Sequence, residues 1–417
     1  MSSTLDALRR YVHDHRDEMA RFASELIAVP TENPPGCSYR ECLDVVQKHL
    51  EELGFESRIE PVPSPGGDPE YPRFWLACDW GEGDRAVYFH GHIDVVPAQD
   101  PSQFAPRLSE DTLFGRGSTD MKGGLVSMIY AMKALAEGEL RPRGRIALRI
   151  VPDEETGGAL GSGALCDRGL LFGNDARAML TAEPTGGVVW NASRGALTYR
   201  IRVKGRSSHV GLQYRGVNAF ERMFHIARAL SKLKEEVESR VTSFPIEPDE
   251  ARRSILMMGG ESQGGANFNL VPPSFSFSVD RRINPEEDFD EERRRLLEVI
   301  DSARAEGVDF ELECIQEARP AGVSSDHPAT RALAATIEEV QGARPRVELC
   351  PGILEIRFYA EKGIPAFAYG PGRLSVAHGP KEFVKRRDME DCAVIYALAA
   401  LRLTDRRTWP WSGDRSS

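Results

Sequence analysis

The stretch RAVYFHGHID, Arg85 to Asp94, runs an apolar segment straight into a histidine and, two positions later, an aspartate. A short apolar run bounded by turn residues reads as a strand covered on both faces, the kind that parallel sheets use. The same arrangement recurs along the chain. GRIALRIVP (144–152) leads into DEETGG with Glu154 and Glu155, RAMLTAE (177–183) ends on Glu183, and IPAFAYG (364–370) is followed by AHG with His378. Between the first two runs, Gly123 to Leu135 has helical spacing, with Leu125, Met128, Ile129, Met132 and Leu135 on one face. Asp120, in STDMKGG, falls just before that helix. Strands alternating with helices predict an α/β fold with a mostly parallel sheet, and polar residues that follow such strands gather at the sheet's carboxyl edge.

Taken together, His92, Asp120, Glu155, Glu183 and His378 offer two imidazoles and three carboxylates, a set suited to a pair of divalent ions. Glu154 is a spare carboxylate beside one of them. No single motif would carry this reading, because an HxD or an acidic pair recurs by chance on solvated surfaces. Their joint occurrence does.

Bulk properties narrow the function classes. A chain of 417 residues exceeds the size at which one core keeps growing, so two domains are expected. The net charge of -11 argues against nucleic-acid and anionic-membrane partners. The N-terminal MSSTLDALRRYVHDH has no apolar h-region and no apolar run approaches a membrane span, so the expected address is the cytoplasm. The seven cysteines stand singly with no CxxC pair, which excludes a disulfide framework or zinc knuckle, and Cys166 has no basic neighbour to activate it. The run Met121 to Gly124 lacks P-loop spacing, so nucleotide binding is rejected. His90, His13, His15, His49 and His327 have no partner motif and read as structural.

Before the first strand the pattern predicts an N-terminal helix with Leu5, Leu8 and Val12 on one face, then a helix from Cys42 to Leu53. Near Asn191 the register changes. From ALTYRIRVKG onward the order is β-α-β-β-α-β, the mark of a ferredoxin-like α+β unit. In its first helix Phe220, Met223, Phe224, Ala227 and Leu230 read as the packed face, with His225 off it. The expected division is a discontinuous catalytic domain, 1–191 and 319–417, interrupted by a lid/dimerisation domain, 192–318. The tail TWPWSGDRSS reads as frayed or surface-packed.

HGHIDVVP, GRGSTDMKGG, PDEETGG and AEPT, then GRSSHVG, GVNAFER, DRRINP and AHGPKEF, resemble the acetylornithine deacetylase, succinyl-diaminopimelate desuccinylase, aminoacylase and carboxypeptidase G-type metallopeptidase family. The likeness runs in order from about Ile27 to Leu401. It implies a zinc-peptidase-like catalytic domain with two divalent metal ions per subunit, zinc first, with cobalt or manganese also acceptable to such ligands. It implies that His92 and Glu183 complete one site, Glu155 and His378 the other, and that Asp120 bridges them. Glu154 resembles the general base that takes a proton from the metal-activated water and delivers it to the leaving nitrogen. Asp94 would bond the His92 imidazole and fix its tautomer. His209 resembles a histidine that reaches a neighbouring subunit's site to stabilise the oxyanion, which implies a homodimer. Asn269 and Arg282 match positions that grip a substrate carboxylate, with Arg281 an adjacent competitor.

The expected activity is therefore hydrolysis of an amide C–N bond in a small N-acylated amino acid or amine. An aminohydrolase or deformylase acting on a small ring compound is the alternative, and a non-catalytic binding module a more distant one. The sequence departs from the family at GILEIR, Gly352 to Arg357, where Leu354 and Glu355 replace Thr and Asp, and after His209, where Leu212 to Arg215 replace a proline. Both departures point to a distinct substrate pocket.

Overall fold

A computed structural model describes residues 2–63 and 67–407. The tail Thr408 to Ser417 lies outside the described residues. The chain separates into two compact units, the first comprising Met1–Asn191, Val323–Glu348 and Phe358–Ser417, the second Ala192–Gly322 and Leu349–Arg357. The Leu349–Arg357 segment, which contains all of GILEIR, thus groups with the inserted part and not with the flanking sequence that the chain order suggested.

The first unit is built on a sheet whose middle is parallel. Ala86–His92 lies between Arg145–Val151 and Ala176–Thr181, parallel to both, and Ala366–Ala368 runs parallel to the latter. Antiparallel strands extend both sides: Phe74–Trp80 and then Ser57–Pro61 on one, Val189–Ser193 on the other. Every residue of Ala86–His92 is buried, which is why that strand reads as continuous rather than alternating. Helix Gly123–Glu137 packs against helix Arg386–Thr404 and against two N-terminal helices, Ser2–Asp14 and Arg16–Ala28. It is buried on nearly all sides, with Val126, Tyr130 and Ala131 as inaccessible as the predicted stripe. A helix enclosed between a sheet and other helices has no solvent face to keep polar.

Helix Arg16–Ala28 was not visible as a separate element in the sequence. It is parted from Ser2–Asp14 only at His15, without glycine or proline, and its last turn is capped from afar by buried Lys122, whose Nζ donates to the carbonyls of Leu26 and Val29. Lys122 is thereby engaged by main chain. Helix Tyr39–Glu52 follows. No described helix is long and apolar enough to cross a membrane.

The second unit has an antiparallel sheet in the order Ile255–Gly264, Ser274–Ile283, Gly195–Lys204, Phe310–Ala318, with helices Ala219–Val237 and Phe289–Ala305. Gly195–Lys204 alternates: Leu197, Tyr199, Ile201 and Val203 enter the core, while Arg200 and Lys204 pair across the other face with Glu313 and Glu311. In Ala219–Val237 the buried face differs from the predicted one. Ala219, Ile226, Leu230, Leu233 and Val237 are buried, whereas Phe220 and Phe224 are 41% and 53% exposed and stack edge-to-face on each other. Side-chain size suggested the wrong stripe, because i, i+4 aromatic pairing on a surface has the same spacing as core packing. His225 bonds Glu306 at the surface.

Candidate metal centre

Three of the parallel strands deliver the first candidates to one sheet edge. His92 is the last residue of its strand, Glu154 and Glu155 form the turn that follows Arg145–Val151, and Glu183 lies two residues beyond Ala176–Thr181. Asp120 sits in the Ser118–Lys122 turn ahead of helix Gly123–Glu137, and the Asp120–Met121 peptide is cis. His378 comes from the loop after Ala366–Ala368. Gly124 sets how close the helix comes, since a Cβ there would lie 2.6 Å from both the Cβ and the carbonyl oxygen of Ala182, the residue before Glu183.

The Asp120 carboxylate stands between the two histidines. Its Oδ1 is 3.2 Å from His92 Nε2 and its Oδ2 is 3.2 Å from His378 Nε2. His92 Nε2 is also 3.7 Å from Glu183 Oε1, and His378 Nε2 is 3.2 Å from Glu155 Oε2. Two triplets thus share Asp120: His92, Asp120 and Glu183, and Asp120, Glu155 and His378, each compact enough to hold an ion. Glu155 Oε1 is buried without a hydrogen-bond partner among the described residues. A buried, unbonded carboxylate oxygen is costly unless a cation takes it up, so the donor set fits divalent ions.

The electrostatics reflect three carboxylates crowded around two imidazoles. Burial alone would lower the proton affinity of His92, but hydrogen bonds to Asp120 and Asp94 and the charge of Glu183 carry it well above the ordinary histidine value. The bonds to Asp120 and Glu155 push His378 up to about 10. Asp120 is held low by both imidazoles against the cost of its burial, whereas Glu155 is pushed up by burial and by the charge of Asp120.

Asp94 meets both the His92 imidazole and the acidic turn. His92 Nδ1 donates to the main-chain carbonyl of Asp94 at 3.0 Å, while the carboxylate lies 3.5 Å away. Main chain and side chain of Asp94 thus face the same ring nitrogen. The fully buried carboxylate also accepts from the Glu154 and Glu155 amides, at 3.2 and 3.0 Å, and from Asn33 Nδ2 at 2.9 Å. Asn33 also donates to Thr156 at 3.0 Å. Buried Asp153, with φ +76°, is gripped by Arg73 and Thr156, so the whole acidic turn is fixed from beneath. Sequence reasoning missed Asn33 and Asp153. Asn33 sits in a proline-flanked loop with no motif to mark it, whereas Asp153 was inside DEETGG but overshadowed by its glutamate neighbours.

The family model for peptidase family M20/M25/M40 matches residues 88–402. The chain belongs to that family. A succinyl-diaminopimelate desuccinylase of Thioalkalivibrio sulfidiphilus is 26% identical over 397 residues, spanning 92% of this chain and 98% of that one. Among solved structures, a di-peptidase of Saccharomyces cerevisiae superimposes with a TM-score of 0.76 at 16% identity, over 97% of this chain and 99% of its own. A Bacillus subtilis protein described as a dinuclear metal binding peptidase of the M20 family does so with a TM-score of 0.62 at 15% identity, over 93% and 98%. This M20-family chain is a metal-dependent hydrolase of amide C–N bonds.

The other predicted site residues of the M20-family chain lie in the second unit. His209 is exposed, and its Nδ1 accepts the Gly211 amide at 3.1 Å. The Val210 amide bonds the carbonyl of Asn269 at 2.9 Å, so these two loops run side by side. Arg282 pairs with Asp280 at 2.8 Å and stays partly accessible. Arg281 is 1% exposed and engaged by Glu287 and Glu292, which removes it as a competitor for substrate.

Proposed function

We propose that the chain removes an acyl group from a small N-acylated amino acid or amine, with His92, Asp120 and Glu183 holding one divalent ion and Asp120, Glu155 and His378 a second, zinc being the first choice. The observation that carries this reading is Asp120, with one oxygen turned to each histidine. When bound, the ions would polarise the scissile carbonyl and make a water molecule acidic enough to attack near neutral pH. Glu154, next to a ligand on a turn whose amides are anchored by Asp94, takes the water's proton and returns it to the departing nitrogen. Asp94 and Asn33 keep that turn from swinging. His209, supplied by a second copy in a homodimer, steadies the oxyanion, and Asn269 and Arg282 receive the substrate carboxylate, Arg282 exchanging its pairing with Asp280 for a bidentate one.

The test is Glu154→Ala assayed on a panel of N-acyl amino acids beside metal analysis. Turnover should fall by about 10²- to 10⁴-fold with metal content unchanged, the usual loss for a general base. Near-full activity would remove Glu154 from this role.

A further inference from the structure

AHGPKEF carries an acidic residue, Glu382, four positions beyond His378, and GRGSTD carries Arg116 four positions before Asp120. Neither is part of either ligand triplet. The fold brings them together: strand Phe383–Lys385 pairs antiparallel with Thr112–Phe114, Phe383 opposite Phe114, so Glu382 emerges beside Gly115 and Arg116. The Gly115 amide donates to the carbonyl of Glu382 at 3.1 Å. Both side chains are buried, Arg116 1% and Glu382 2% exposed.

Each end of the pair holds a different part of the centre. Arg116 Nη1 donates to Glu382 Oε2 at 2.6 Å, and Glu382 Oε1 accepts the amides of Thr119 and Asp120 at 3.1 and 3.2 Å. Arg116 Nη2 donates to the carbonyl of His378 at 3.2 Å. His378 has φ +61°, a left-handed conformation that a residue with a Cβ holds only when its surroundings impose it. Arg116 is part of what imposes it.

A buried ion pair is a poor way to gain stability, because desolvation offsets most of the attraction. It is a good way to fix direction, since guanidinium and carboxylate bond along set axes. We propose that Arg116 and Glu382 are positioning residues that hold the Asp120 turn and the His378 loop in one frame and so set the separation of the two metal sites. The proposal rests on the ligand assignment above. It also predicts an asymmetry, since Glu382 touches the turn of the shared ligand, whereas Arg116 touches the His378 loop directly.

The experiment is zinc titration of the full chain against a chromogenic chelator, with metal-free thermal stability recorded in parallel, for Glu382→Gln, Arg116→Gln, Arg116→Lys and His378→Ala. Outer residues that orient ligands typically matter by about 10- to 100-fold in metal affinity. Arg116→Gln should weaken one zinc equivalent by that factor and spare the other, while Glu382→Gln weakens both. Arg116→Lys retains the charge but cannot span Glu382 and the His378 carbonyl, so it should fold and still lose affinity at one equivalent. It decides the matter if the glutamine variants do not fold. Wild-type affinity for both equivalents in Arg116→Lys, while His378→Ala loses one, would overturn the positioning role and leave the ligand assignment standing. Two undiminished equivalents in His378→Ala would overturn the assignment itself.

Discussion

At the scale of single residues, the consequence most open to measurement is the protons that the metal-free centre stores. An ordinary imidazole titrates near 6.5 and holds almost no proton at pH 8. His378, pushed up to about 10, keeps its proton there, and His92 is shifted in the same direction. Metal ligation needs both rings neutral, so binding must expel those protons, and affinity should climb as pH rises from 6 towards 10. Calorimetric titration of zinc at pH 8 in two buffers of different ionisation enthalpy should show about one proton or more released per chain, that of His378 first. Release near zero would mean that the histidines are unperturbed or are not ligands. All the metal-type residues were legible at this scale, because each stands in a short motif after a strand or before a helix. Asn33 and the main-chain contact of Asp94 were not, since they depend on how loops meet.

At the scale of elements, the spacing between helix Gly123–Glu137 and the Glu183 loop is set by one missing methyl group. Gly124→Ala would place a Cβ 2.6 Å from Ala182 backbone and side chain, where a shift of the helix or of the loop is the only relief. Overpacking of this kind typically costs about 1–3 kcal/mol. Denaturant unfolding of the metal-free variant should show that loss, and zinc affinity should fall with it; stability within a few tenths of the parent would refute the close approach. The buried strands and this helix could be read from apolar runs and helical spacing. The separate helix Arg16–Ala28 could not, because its end is capped by Lys122 from 93 to 96 residues away along the chain. The packed face of Ala219–Val237 was misplaced for a related reason: aromatic spacing alone cannot tell a core stripe from an exposed pair, and only the sheet of the second unit decides which side is covered.

At the scale of the whole molecule, the residues proposed for the reaction fall into two compact units, each described by itself. His92, Asp94, Asp120, Glu154, Glu155, Glu183 and His378 belong to the first, His209, Asn269 and Arg282 to the second. If a homodimer supplies His209 across subunits, two inactive variants should repair each other. Chains carrying Glu154→Ala mixed with chains carrying His209→Ala, then allowed to exchange, would form heterodimers with one complete site, recovering about a quarter of parental activity under random pairing. No recovery after demonstrated exchange would place His209 with its own chain. The central claim remains that one carboxylate joins two metal sites. Metal analysis of Asp120→Asn beside the parent, after equilibration with zinc and removal of excess, tests it directly. The parent should hold two equivalents per chain, and the variant should lose affinity at both along with turnover of N-acyl amino acids; two tightly held ions and near-parental turnover in Asp120→Asn would contradict it.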